Sequence, residues 1–98
     1  MTFEEFLATI GSGAKPEGLS RGLEALWFDA RGEWDAAHER VQDEPTRAAA
    51  WVHAYLHRKE GDEANAAYWY SGADRPASRE SLTREWESIA RALLGANQ

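Results

Sequence analysis

The chain has 98 residues, about one domain, with 17 acidic against 11 basic side chains and a net charge of −6. That balance makes a nucleic-acid backbone a poor partner. The absence of cysteine excludes disulfides and thiolate metal sites and fits a reducing, cytoplasmic compartment, and no apolar run near 18 residues predicts a membrane span.

A core this small needs bulk. Five tryptophans (Trp27, Trp34, Trp51, Trp69 and Trp86) supply it, each able to bury about 150–250 Å². Nine of the eleven basic residues are arginine and alanine is abundant, a bias common in bacteria of high GC content. Residues 17–44 hold eight acids against three arginines, which reads as solvated helix surface.

Thr2 and Glu5 match a capping box, so a first helix is predicted that buries Phe3, Phe6, Leu7 and Ile10 and ends at Gly11-Ser12-Gly13. Residues 11–18 read as a loop. A second helix over about 18–31 carries Leu19, Leu23, Leu26, Trp27 and Ala30 on one stripe and stops at Gly32. The third, about 33–43, places Trp34, Ala37, His38 and Val41 on one side. Pro45 suits the first turn of a fourth helix over about 45–60, apolar on two faces and therefore central. Gly61 closes it and Asp62 caps a fifth, about 62–72. After a turn through Pro76, Ser78 caps a last helix over about 79–94, with Leu82, Trp86, Ile89 and Leu93 in phase. No segment alternates like a strand. The expectation is a single all-α domain of five to six helices, divided as 1–16, 17–44, 45–76 and 77–98.

Two of these units read alike at an offset of 29, from Ala25 to Ala54 and from Gly32 to Gly61. Such self-similarity predicts helical hairpins that bury their faces against each other. The pattern resembles the tetratricopeptide (TPR) repeat, where a small and a bulky residue on the first helix meet an alanine and a bulky residue on the second. The matching positions here are Ala25 and Ala54, Phe28 and His57, Ala37 and Ala66, Val41 and Tyr70. Glu24 and His53 stand where that repeat prefers a large aliphatic. The resemblance implies two stacked antiparallel hairpins, flanked by N- and C-terminal capping helices, in a protein-interaction module. The stretch Trp51 to Asp62, continued by Asn65-Ala66 and Tyr68-Trp69-Tyr70, also resembles small uncharacterised bacterial proteins.

Two constellations bear on chemistry. His53 and His57 are four apart on one helix and can chelate a metal, with His38 as the third ligand and Glu60 or Asp62 as lesser candidates. The same histidines also suit helix packing, each ring donating to a backbone carbonyl or a carboxylate. Trp51, Tyr55, Tyr68 and Trp69 can shape a groove for a peptide or planar ligand, with Arg58 and Lys59 gripping a carboxylate. No phosphate loop or serine or cysteine nucleophile motif occurs, and Asp29 and Glu33 read as surface charges.

The leading functional expectation is therefore a non-enzymatic module that binds a protein or peptide, or pairs with itself as a homodimer, without a cofactor. The rival is a small-molecule or metal-binding protein, with enzymatic activity as one form of it, using a pocket of His38, His53, His57 and Tyr68.

Overall fold

The computed structural model describes residues 1–96 and is all-helical over them. Residues 97–98, included in the last predicted segment, lie outside the described residues. The order is α1 (Phe3–Ser12), α2 (Arg21–Ala30), α3 (Trp34–Val41), α4 (Arg47–Lys59), α5 (Glu63–Gly72) and α6 (Leu82–Ala96). α2 pairs with α3 and α4 with α5 as two hairpins; α3 meets α4, α6 lies on both α2 and α4, and α1 packs on α6.

Both hairpins turn by the same device. At the end of α2 the Glu33 N–H donates to Phe28 O at 3.0 Å and the Gly32 N–H to Asp29 O at 2.9 Å. At the end of α4, Asp62 donates to His57 O at 2.9 Å and Gly61 to Arg58 O at 3.1 Å. Gly32 and Gly61 have φ of +79° and +89°, the left-handed conformation that this helix stop requires and that a Cβ disfavours. The four alanines expected at the crossings are all buried, with Ala25, Ala37 and Ala54 at 0% exposure and Ala66 at 4%.

Tryptophan N–H groups tie the helices together. Trp86 donates to Leu26 O at 3.0 Å, Trp34 to Leu56 O at 3.0 Å and Trp27 to Thr9 Oγ1 at 3.1 Å. Trp27 and Trp86 are buried and Trp34 half-buried, and the polar edge of each ring is satisfied. Phe6 stacks on Trp86 at 6.0 Å, seating α1 on α6.

Four local expectations are corrected. Leu7 is 43% exposed rather than buried, because α1 docks through Phe6 and its neighbours and leaves that side open. Pro45 precedes α4 instead of opening it; Thr46 caps the helix by accepting from Ala49 N at 3.1 Å. α6 begins at Leu82, with Ser81 Oγ accepting from Arg84 N at 3.1 Å. Ser78 accepts only from Glu80 N within the preceding turn, whose carbonyl is held by the Arg58 guanidinium. Asp29 is buried at 3% exposure rather than lying on the surface.

Candidate metal centre

His38 comes from α3 and both His53 and His57 from α4, so the three rings meet where one hairpin touches the next. A spacing of four residues on α4 puts His53 and His57 one above the other, and their rings stack at 4.8 Å. His38 stands edge-on to both, at 4.7 Å and 5.4 Å. Trp34 covers the other side of His38 at 4.9 Å, and Trp69 on α5 covers His53 at 4.0 Å.

The nitrogens converge. One ligand atom from each histidine lies within 4.8 Å of the others, and His38 Nε2 is 2.9 Å from His53 Nε2. A tetrahedral ion with metal–nitrogen bonds of about 2.0–2.1 Å sets its ligands about 3.3–3.4 Å apart, so the His38–His53 pair, hydrogen-bonded to each other at 2.9 Å, needs to part by only a few tenths of an ångström to hold one. His57 Nδ1 faces Glu60 Oε1 at 2.6 Å. Because a carboxylate only accepts, Nδ1 carries a proton, and in the neutral ring that leaves the lone pair on Nε2 for a metal. A carboxylate behind a histidine is the usual outer support of a metal ligand.

The packing alternative asks each ring to reach a carbonyl or a carboxylate. His57 does so. His53 does not: it is 4% exposed, and its Nδ1 has no hydrogen-bond partner. Burial, reinforced by the neighbouring His38 and His57, pushes the His53 pKa down to about 4. Burial and then His57 lower His38 as well, against the opposing pull of Glu60, Asp35 and Glu39. Both rings are consequently neutral at pH 7, the protonation state a metal requires.

A second trio, His57, Glu60 and Asp62, also brings one ligand atom each within 4.8 Å. Its donors are engaged, however. Asp62 takes the backbone N–H and the side-chain amide of Asn65 at 3.2 Å and 2.8 Å as the cap of α5, and Glu60 supports His57.

The six residues expected to shape one groove are spread over the molecule. Trp51 lies half-buried beneath the Arg75 guanidinium, 3.7 Å from its ring centre. The Tyr55 hydroxyl donates to Asp29 Oδ2 at 3.0 Å, and Lys59 Nζ to Asp29 Oδ1 at 2.9 Å. Arg58 reaches away to Glu85 at 2.8 Å. Tyr68 is 63% exposed, and Trp69 alone joins the histidines.

Two buried polar clusters escaped the sequence reading. Asp29 anchors Tyr55 and Lys59; Glu85, 2% exposed, anchors Arg58 and the Tyr70 hydroxyl. Burial first, and then the adjacent carboxylate, raises the pKa of both tyrosines. A signal was present: Asp29 follows Leu26 by three residues and Glu85 precedes Ile89 by four, so both sit on apolar stripes.

Comparison of the chain with protein-family models, with curated proteins and with solved structures finds no match.

Proposed function

We propose that this protein binds one divalent transition-metal ion of the zinc type through His38, His53 and His57. The observation that carries the reading is the convergence of three imidazole nitrogens, from two helices of different hairpins, within 4.8 Å. The donor set fits: three neutral imidazoles suit zinc, nickel, cobalt or copper(II) far better than calcium or magnesium. Such an ion joins α3 to α4 and so locks one hairpin to the next. Glu60 acts as the positioning residue that keeps His57 in the tautomer with Nε2 free.

Tag-free protein is titrated with Zn²⁺ by calorimetry and with Co²⁺ by visible absorption. One equivalent is expected to bind, and the melting temperature to rise with free metal as mass action requires. His38→Gln, at a half-buried ring, should abolish binding while leaving the helical circular dichroism intact. No saturable binding, or an undiminished response in His38→Gln, overturns the reading.

A second reading, the TPR-like interaction or self-associating module, is favoured by Tyr68, whose ring stands 63% exposed on α5 beside Trp69. Large aromatics left in water are common at contact surfaces.

A further inference from the structure

A groove of about 420 Å³ opens between α1, the C-terminal ends of α2 and α4, and the start of α6. It lies away from the histidines. On α4, Tyr55 and Lys59 line it, and each follows its histidine by two residues, about 200° around the helix. The walls are apolar, formed chiefly by Leu7, Ile10, Leu82 and Trp86. Leu7 is one of the few large apolar side chains left exposed, at 43%.

The polar end is more informative. Asp29 is buried, with one oxygen taken by Lys59 and the other by Tyr55. The Tyr55 hydroxyl is spent on Asp29 and the Trp86 N–H on Leu26 O. An ammonium carries three N–H donors, and Lys59 spends one of them on Asp29 while its side chain is 39% exposed. What the groove offers an entering molecule is therefore a hydrocarbon wall with an ammonium at its end and the exposed Thr83 hydroxyl on its lining. The anion of the pair is buried, with its side chain 2% exposed, while the cation is 39% exposed, so an entering molecule meets the ammonium before the carboxylate.

We propose that this groove binds a small aliphatic carboxylate, its chain against Leu7, Ile10, Leu82 and Trp86 and its head group accepting from Lys59 Nζ. Asp29 and Tyr55 hold the ammonium in place and prevent it from folding back over the apolar wall. An amine of the same length meets the ammonium with like charge and is rejected; an alcohol keeps the apolar contact and loses the charge-assisted bond. That bond is expected to separate carboxylate from alcohol by about tenfold in affinity.

The test uses decanoate, decanol and decylamine below their aggregation limits, titrated into the full chain by calorimetry and by amide and indole NMR. Decanoate is expected to saturate and to shift Leu7, Ile10 and the Trp86 indole. Decanol should bind about tenfold more weakly and decylamine more weakly still. Leu7→Asp, at an exposed position that does not support the core, should weaken decanoate at least tenfold with the melting temperature unchanged. Lys59→Gln should bring decanoate and decanol to the same affinity. His38→Gln, which removes the metal ligand set, should leave decanoate binding as it is, which keeps this inference separate from the metal reading. Failure of decanoate to saturate, equal or tighter binding of decylamine, or no effect of Leu7→Asp overturns the proposal.

Discussion

The two hairpins share a turn and differ in what they do with it. An offset of 29 residues superposes Ala25 on Ala54, Gly32 on Gly61 and Ala37 on Ala66, with the same hydrogen-bonded helix stop in both. At two other equivalent positions the chemistry diverges. Glu24 in the first hairpin gathers Lys15 at 2.9 Å and, more loosely, Arg21 and Arg40, whereas His53 in the second faces His38. Phe28 lies under the Arg40 guanidinium at 4.8 Å, whereas His57 faces Glu60. The alanines buried at the crossings and the glycines at the turns are held; the neighbouring positions carry a network of charges in one hairpin and converging imidazoles in the other.

The largest effects are expected where equivalent positions take part in ion pairs with a buried carboxylate. Asp29 and Arg58 are 29 apart, and each belongs to an ion pair whose carboxylate is buried. Arg58→Met leaves Glu85, whose side chain is 3% exposed, with only the Tyr70 hydroxyl. Removing one partner of a buried pair costs about 3–5 kcal/mol; the lower end applies because the Arg58 side chain is 24% exposed. Asp29→Asn keeps an acceptor for Tyr55, and Lys59 can turn to water, so the loss falls to roughly 1–3 kcal/mol. Urea denaturation at pH 7 reads both. Equal losses would mean that the two pairs are energetically alike despite their different exposure.

The crossings come next. Ala25 lies in the main core, while Ala54 belongs to a smaller cluster with Ala66 and Tyr70, flanked by half-buried Trp51 and Trp69. Overpacking costs about 1–3 kcal/mol. Ala25→Leu is expected near the top of that range and Ala54→Leu near the bottom, since the flanking tryptophans can yield toward solvent. Denaturation midpoints at constant slope measure the difference; a costlier Ala54→Leu would show the second crossing to be the tighter one.

The fold was legible because its instructions are local. Glycine after an apolar stripe, an acidic residue after the glycine, and alanine at fixed distances on either side are each visible in a dozen residues. His38, His53 and His57 were legible as a set for the same reason, since two share a helix and the third lies on its sequence neighbour. The proposed aromatic and basic surface was not. Tyr55, Arg58 and Lys59 sit within five residues, yet they leave α4 in different directions, and their partners Asp29 and Glu85 lie 26 and 27 residues away. Pairing across such distances depends on how the hairpins and α6 are stacked, which no periodicity encodes. Leu7 fails for a related reason: an amphipathic stripe says which side of α1 is apolar, not how much of it α6 can cover.

The smallest effects separate Glu24 from His53, and pH is the instrument. In metal-free protein, His53 resists protonation until about pH 4, while in the unfolded chain its pKa is about 6.5. Between those values the unfolded state binds more protons, so stability must fall as pH drops from about 6.5 toward 4. His38, lowered in the same direction, adds to the slope. His53→Leu, which places a large aliphatic in a 4% exposed site, removes the His53 contribution. The variant should be closer to the wild type at pH 7 than at pH 5, where it should be the more stable of the two, and it should no longer bind metal. Glu24→Gln tests the equivalent position. Its partners are exposed or partly exposed cations, so the loss is expected to stay below about 1 kcal/mol and to shrink with added salt. A Glu24→Gln loss that exceeds this and ignores salt would mean that Glu24 acts as a buried charge, and that the two equivalent positions are less different than their surroundings suggest.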